Sequence, residues 1–141
     1  MIYWFTGQSG TGKTVLGTKL RDFLQTEKRN WRKDVFLIDF PHHSQLGEAQ
    51  IISGFLSENN CDVVVTITDI SKQHRDEFKT LMNDNIIEIY VHSNRKKSKD
   101  LPKVQGYEAP TENFFDLDTT SDNPTQSFNK LIHYLREIDK L

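Results

Sequence analysis

Cysteine and long apolar runs are both scarce in this 141-residue chain, and each scarcity closes off a class of protein. The single cysteine, Cys61, excludes an intrachain disulfide and any multi-cysteine metal site, which fits a reducing compartment. It stands just before an apolar run, so a buried and inert thiol is expected. No apolar stretch approaches the roughly 20 residues that cross a bilayer, and the N-terminus runs directly into a strand-like segment rather than a signal peptide. A cytoplasmic protein without a membrane partner is therefore expected. An excess of one charge is missing too: 18 basic against 20 acidic residues leave a net charge of −2, with no overall basic field of the kind that general nucleic-acid binders use. Repeats, linkers and low-complexity tracts are absent, so residues 1–141 read as one domain, long enough to bury a core.

What the chain does have is concentrated near its start. Residues 7–14 read Gly7-Gln8-Ser9-Gly10-Thr11-Gly12-Lys13-Thr14, a complete Gly-x-x-x-x-Gly-Lys-Thr phosphate-binding loop. Its glycines let successive backbone N–H groups turn inward towards phosphate oxygens. Lys13 can reach the β- and γ-phosphates of a nucleotide, and the Thr14 hydroxyl can ligate Mg²⁺. The flanks suit this chemistry. Ile2 to Thr6 is a β-type run, and Val15, Leu16, Leu20, Phe23 and Leu24 continue as a helical stripe. The loop thereby meets the positive end of a helix dipole. A nucleoside triphosphate, ATP with Mg²⁺, is the expected ligand.

Beyond the loop, strand-like and helix-like segments alternate, which predicts an α/β protein of the P-loop NTPase fold. Its five-stranded sheet should be mostly parallel, with helices on both faces. The first helix is expected over about Lys13 to Lys28. Strands are expected at Val35 to Ile38, Asp62 to Thr68, Ile86 to Val91 and Phe114 to Asp118. Leu46, Ala49, Ile52, Phe55 and Leu56 recur at helical spacing, and another helix is expected from about Lys72 to Asn83. The last helix should start at Asp122 or Asn123 with Pro124 in its first turn, burying Phe128, Leu131, Ile132, Leu135 and Ile138. Residues 93–112 break the alternation: they are polar and carry Arg95, Lys96, Lys97, Lys99 and Lys103. A loop this long inside a small domain reads as a lid over the nucleotide or as a solvated excursion.

In open α/β sheets the ligand lies beyond the C-terminal ends of the strands. Asp39 and Asp69, each at the end of a predicted strand, are thus expected to face the phosphates. Asp69 is the candidate for holding Mg²⁺, with capping of the helix near Ser71 as its structural alternative. Asp39 is the candidate for orienting an acceptor hydroxyl, with a turn role as the alternative. His42 and His43 are adjacent, point in different directions, and make a poor metal pair. The size of the chain and the lack of an Asn-Lys-x-Asp guanine signature favour a small kinase over a GTPase or helicase.

Four stretches resemble the adenylyl-sulfate kinase family. Phe5 to Thr14 is similar to its Leu-Thr-Gly-Leu-Ser-Gly-Ala-Gly-Lys-Ser opening, and Val35 to Asp39 to its strand leading into Asp-Gly-Asp. Ile86 to Val91 is similar to its Phe-x-Glu-Val-Tyr-Val strand. Tyr107-Glu108-Ala109-Pro110 and Leu117-Asp118-Thr119 are similar to its Tyr-Glu-x-Pro and Leu-Asp-Thr segments. The resemblance implies transfer of the γ-phosphoryl of Mg-ATP to the 3′-hydroxyl of adenylyl sulfate, with Lys13, Asp39 and Asp69 as catalytic residues. The chain departs from the pattern on the acceptor side. Pro41 stands where a second aspartate would be, the substrate-contacting arginine is missing, and the Lys-Gly-Leu-Tyr lid motif is absent. Other readings are a kinase for another small molecule or for the 5′-hydroxyl of a polynucleotide, which the lysine-rich loop would suit, and an ATP-binding protein without catalysis. The expected partners are ATP and a small hydroxyl acceptor, with self-association as a homodimer left open.

Overall fold

A computed structural model describes residues 1–26, 34–40, 43–94 and 103–141. The strands are β1 (Ile2–Thr6), β2 (Val35–Phe40), β3 (Asp62–Ile67), β4 (Ile86–His92) and β5 (Phe114–Asp118). They form one sheet in the order β2-β3-β1-β4-β5, and all four pairings are parallel. Four helices, α1 (Lys13–Thr26), α2 (Leu46–Glu58), α3 (Lys72–Met82) and α4 (Pro124–Glu137), alternate with them among the described residues. The architecture is that of an α/β P-loop NTPase.

Every residue of β1 is buried, because the strand sits at the centre of the sheet with helices over both faces. Tyr3 and Phe5 point to one side, where they pack with Leu16, Leu20 and Leu24 of α1 and Leu131, Ile132 and Leu135 of α4. Ile2 and Trp4 point to the other, against Leu46 and Ala49 of α2 and Phe78 of α3. The alternation of strand side chains thus divides one apolar strand between two cores. The approach of α1 to the sheet depends on Gly17, where a Cβ would lie 2.4 Å from Thr66 Cγ2.

The helix ends follow from their sequences. Asn123 caps α4 in a reciprocal box: its side chain accepts from Gln126 N and Gln126 Oε1 accepts from Asn123 N, both at 2.8 Å. Ser71 caps α3 by accepting from His74 N. The basic stretch Lys28 to Lys33, Pro41 and His42, and the loop cations Arg95, Lys96, Lys97 and Lys99 lie outside the described residues.

Four local expectations change; Ile138, expected on the buried stripe of α4, is the residue that ends that helix and is exposed. Strand β2 runs on to Phe40, so Asp39 lies inside the strand instead of after it. Helix α2 is apolar nearly all round, which hides its inward face from sequence reading. Leu46, Ala49, Ser53 and Gly54 are buried, while Ile52 and Phe55 face outward. Ser53 tolerates this because its hydroxyl donates to Ala49 O at 2.6 Å. Cys61 is half-buried in the turn before β3.

Candidate active site

The chain leaves β1 to build β2 and β3 on one side and crosses to build β4 and β5 on the other. The loop after β1 therefore opens where the strand order reverses, the place such sheets offer to a ligand. At Gly7 the backbone takes φ +149°, and a Cβ there would lie 2.1 Å from Val91 O, so only glycine lets the loop start this close to β4. Gly12, at φ +103°, then delivers the chain into α1. Three hydroxyl and ammonium contacts hold the curve. Buried Lys13 donates from Nζ to Gly7 O (2.8 Å) and Gln8 O (2.6 Å), and Thr11 Oγ1 donates to Gln8 O (2.9 Å). Thr119, just after β5, donates from Oγ1 to Thr11 O at 3.0 Å and from its backbone N to His92 O at 2.8 Å, tying the loop to the end of β4.

A cleft of about 450 Å³ lies in front of this loop. Ser9, Gly10, Gly12, Lys13 and Thr14 form one wall, and Asp39, Phe40, Thr66, Ile67 and Thr68 the other. Asp39 reaches across it: Oδ1 accepts from Thr66 Oγ1 at 2.7 Å and from Thr14 Oγ1 at 3.3 Å. An exposed carboxylate beside the threonine hydroxyl, at the positive end of α1 and next to a lysine, suits a polyphosphate with a divalent cation. Gln8 engages a segment far along the chain: Nε2 donates to Val104 O and Oε1 accepts from Val104 N, each at 2.9 Å.

Asp69 does not join the cleft. It is fully buried on the Trp4 side of the sheet, where Oδ1 accepts from Arg75 Nη1 at 2.5 Å and Oδ2 from Trp4 Nε1 at 3.0 Å. Thr6 Oγ1 donates to the same Oδ1 at 3.4 Å. Arg75, itself 2% exposed, continues to Glu88 Oε2 at 3.1 Å and to the carbonyl of Glu108, and Lys79 Nζ reaches Glu88 Oε1 at 2.8 Å. The carboxylate expected at the metal is thus consumed by an internal ion pair, and capping of α3 falls to Ser71 instead. Burial lifts the Asp69 carboxyl to about 6, an effect that Arg75 opposes through charge and hydrogen bonding. Tyr107 extends the network: its hydroxyl pairs with Thr6 Oγ1 at 3.0 Å, its ring lies under the Arg75 guanidinium, and burial pushes its ionisation upward.

Sequence reading placed the loop and Asp39 in one site and missed Thr66, Arg75, Lys79 and Glu88. A signal for the last existed: a glutamate inside the apolar run Ile86 to Val91 needs a buried partner. Among the described residues no cluster of three or more histidine, cysteine, aspartate or glutamate side chains could hold a metal on its own, and no helix is long and apolar enough to cross a membrane.

Fold and loop together define the class, a P-loop protein with the architecture of the small kinases. No protein-family profile matches the chain. Over 167 aligned residues it is 24% identical to adenylyl-sulfate kinase of Staphylococcus epidermidis strain ATCC 12228, covering 96% of this chain and 84% of that protein. Among solved structures it matches the hexameric APS kinase of Thiobacillus denitrificans with a TM-score of 0.74 at 16% identity; all of this chain aligns, spanning 30% of that longer one. It also matches Kti12 of Chaetomium thermophilum in complex with ADP-AlF3 (TM-score 0.61, 14% identity, 94% of this chain and 98% of that one). A gluconokinase of Sinorhizobium meliloti 1021 gives a TM-score of 0.58 at 11% identity, with 96% and 91% covered. The chain is a P-loop protein by fold, with a distant similarity to adenylyl-sulfate kinase.

Proposed function

We propose that the protein is a kinase that transfers the γ-phosphoryl of Mg-ATP to a hydroxyl, with the 3′-hydroxyl of adenylyl sulfate as the leading acceptor. The observation that carries this reading is the convergence of Lys13, Thr14 and Asp39 on one cleft at the N-terminus of α1. Residues 7–14 would cradle the phosphates, with Lys13 shifting from the loop carbonyls onto the transferring group. Thr14 and Asp39 would hold Mg²⁺, which when bound neutralises charge on the phosphate oxygens. Asp39 lines the same cleft, and in this reading one carboxylate takes both acidic duties that sequence reading divided between Asp39 and Asp69. Phosphoryl transfer asks mainly for positioning and charge neutralisation, and these residues supply both.

A smaller cleft of about 80 Å³ adjoins the loop between Thr11, Val15 and the Thr119 to Ser127 segment, and would receive the nucleotide base. Ser127 contributes to the wall of this cleft. The altered acceptor-side motifs keep another small hydroxyl compound as the second reading. A cytoplasmic setting, where ATP and Mg²⁺ are plentiful, goes with either. Lys13→Ala tests the shared core: ADP release from Mg-ATP should vanish while the circular dichroism spectrum stays that of wild type. Turnover at the wild-type rate would sink the assignment.

A further inference from the structure

Gln8 occupies the first variable position of the phosphate loop, where the sequence pattern of the similar kinases has an apolar leucine. Both ends of its side-chain amide are used on one backbone unit 96 positions away, Nε2 on Val104 O and Oε1 on Val104 N. The two bonds fix the orientation of the amide, since the N–H of Val104 needs an acceptor and its carbonyl needs a donor. The backbone carbonyl of the same residue accepts from Lys13 Nζ and from Thr11 Oγ1. Gln8 is therefore where the lysine that meets the phosphates and the segment around Val104 come together.

That segment is held elsewhere along its length. Tyr107 OH pairs with Thr6 Oγ1 at the end of β1, Glu108 N donates to Ile70 O beyond β3, and Arg75 donates to Glu108 O. Residues 104–108 are consequently tied to the C-terminal end of β1 and to the turn after β3.

We infer that Gln8 is a positioning residue that couples occupancy of the phosphate loop to the placement of residues 104–108. The inference rests on the kinase reading for what fills the loop. Nucleotide drawing Lys13 off the Gln8 carbonyl changes the loop at the one residue whose side chain grips Val104. Residues 104–108 take their final placement when nucleotide is bound.

Gln8→Leu removes both bonds at similar side-chain size and restores the residue of the related pattern. Amide hydrogen exchange over residues 103–110 is measured in both proteins without nucleotide and with Mg-ADP at a concentration that saturates each. In the nucleotide-free variant the Val104 amide should exchange at least about tenfold faster, the loss of roughly 1.4 kcal/mol of local protection. Nucleotide should alter exchange over 104–108 in the wild type and not in the variant. Unchanged exchange at Val104, or a nucleotide response kept in the variant, would overturn the inference. A wild-type chain that binds no nucleotide would overturn the kinase reading and the coupling together, with the Gln8 clamp still judged by the nucleotide-free comparison.

Discussion

Replacing Arg75 by methionine should remove much of the stability of this domain, although the residue touches neither the phosphate loop nor the cleft. Arg75 is 2% exposed and bonds to Asp69 Oδ1 (2.5 Å), Asp69 O (3.2 Å), Glu88 Oε2 (3.1 Å) and the Glu108 carbonyl. Methionine fills part of the space and answers none of these acceptors. Glu88 keeps Lys79, and Asp69 keeps Trp4 and Thr6, but two buried carboxylates then face each other with one cation in place of two. Breaking a buried pair by removing one partner costs about 3–5 kcal/mol, against a total stability of about 5–15 kcal/mol for a domain. With a urea dependence of roughly 2 kcal/mol per molar, the unfolding midpoint should fall by about 1.5–2.5 M. The double variant Arg75→Met with Asp69→Asn should recover part of the loss, because it also removes a stranded charge. A midpoint shift corresponding to less than about 1 kcal/mol would refute the view that this ion network anchors α3 and the 107–108 segment to the sheet.

The remaining predictions concern the two aspartates and pH. Asp39→Asn keeps the shape that Thr14 and Thr66 bond to and removes the charge, so turnover should fall by about a hundredfold or more with the unfolding midpoint nearly unchanged; steady-state ADP release and urea titration read both. Asp69→Asn should reverse that order, altering stability more than the chemical step, since the residue lies away from the cleft. Because burial raises the folded-state carboxyl of Asp69 to about 6 from an ordinary 3.8, its stabilising contribution is complete below pH 3.8 and is lost as pH rises through 6. Wild-type stability relative to Asp69→Asn should therefore decline between about pH 4 and pH 6.5, by a few kcal/mol at most. Parallel stability curves over that range would contradict the assignment of the shift to Asp69.

The phosphate loop and the alternation of strands and helices were legible because both are written in neighbouring residues. A glycine-rich octapeptide between an apolar run and a helical stripe specifies its own geometry, and Asn123 with Pro124 specifies a helix start. What escaped depends on residues far apart in the chain. Asp69 at the end of an apolar strand reads as a metal ligand until Arg75 and Glu88, from α3 and β4, are seen to enclose it. The grip of Gln8 on Val104 spans 96 positions and has no local trace. Helix α2 failed for another reason: its apolar residues surround the axis, so periodicity could not say that Ile52 and Phe55 face outward.

The most direct test of the central claim is ADP release from Mg-ATP in the presence of adenylyl sulfate, compared with other nucleosides, sugars and 5′-hydroxyl oligonucleotides. The account predicts release that depends on a hydroxyl acceptor, greatest with adenylyl sulfate, and abolished by Lys13→Ala. Mg-ATP bound at the loop with no acceptor-dependent release from any of these compounds would contradict it, leaving a nucleotide-binding protein without transfer chemistry.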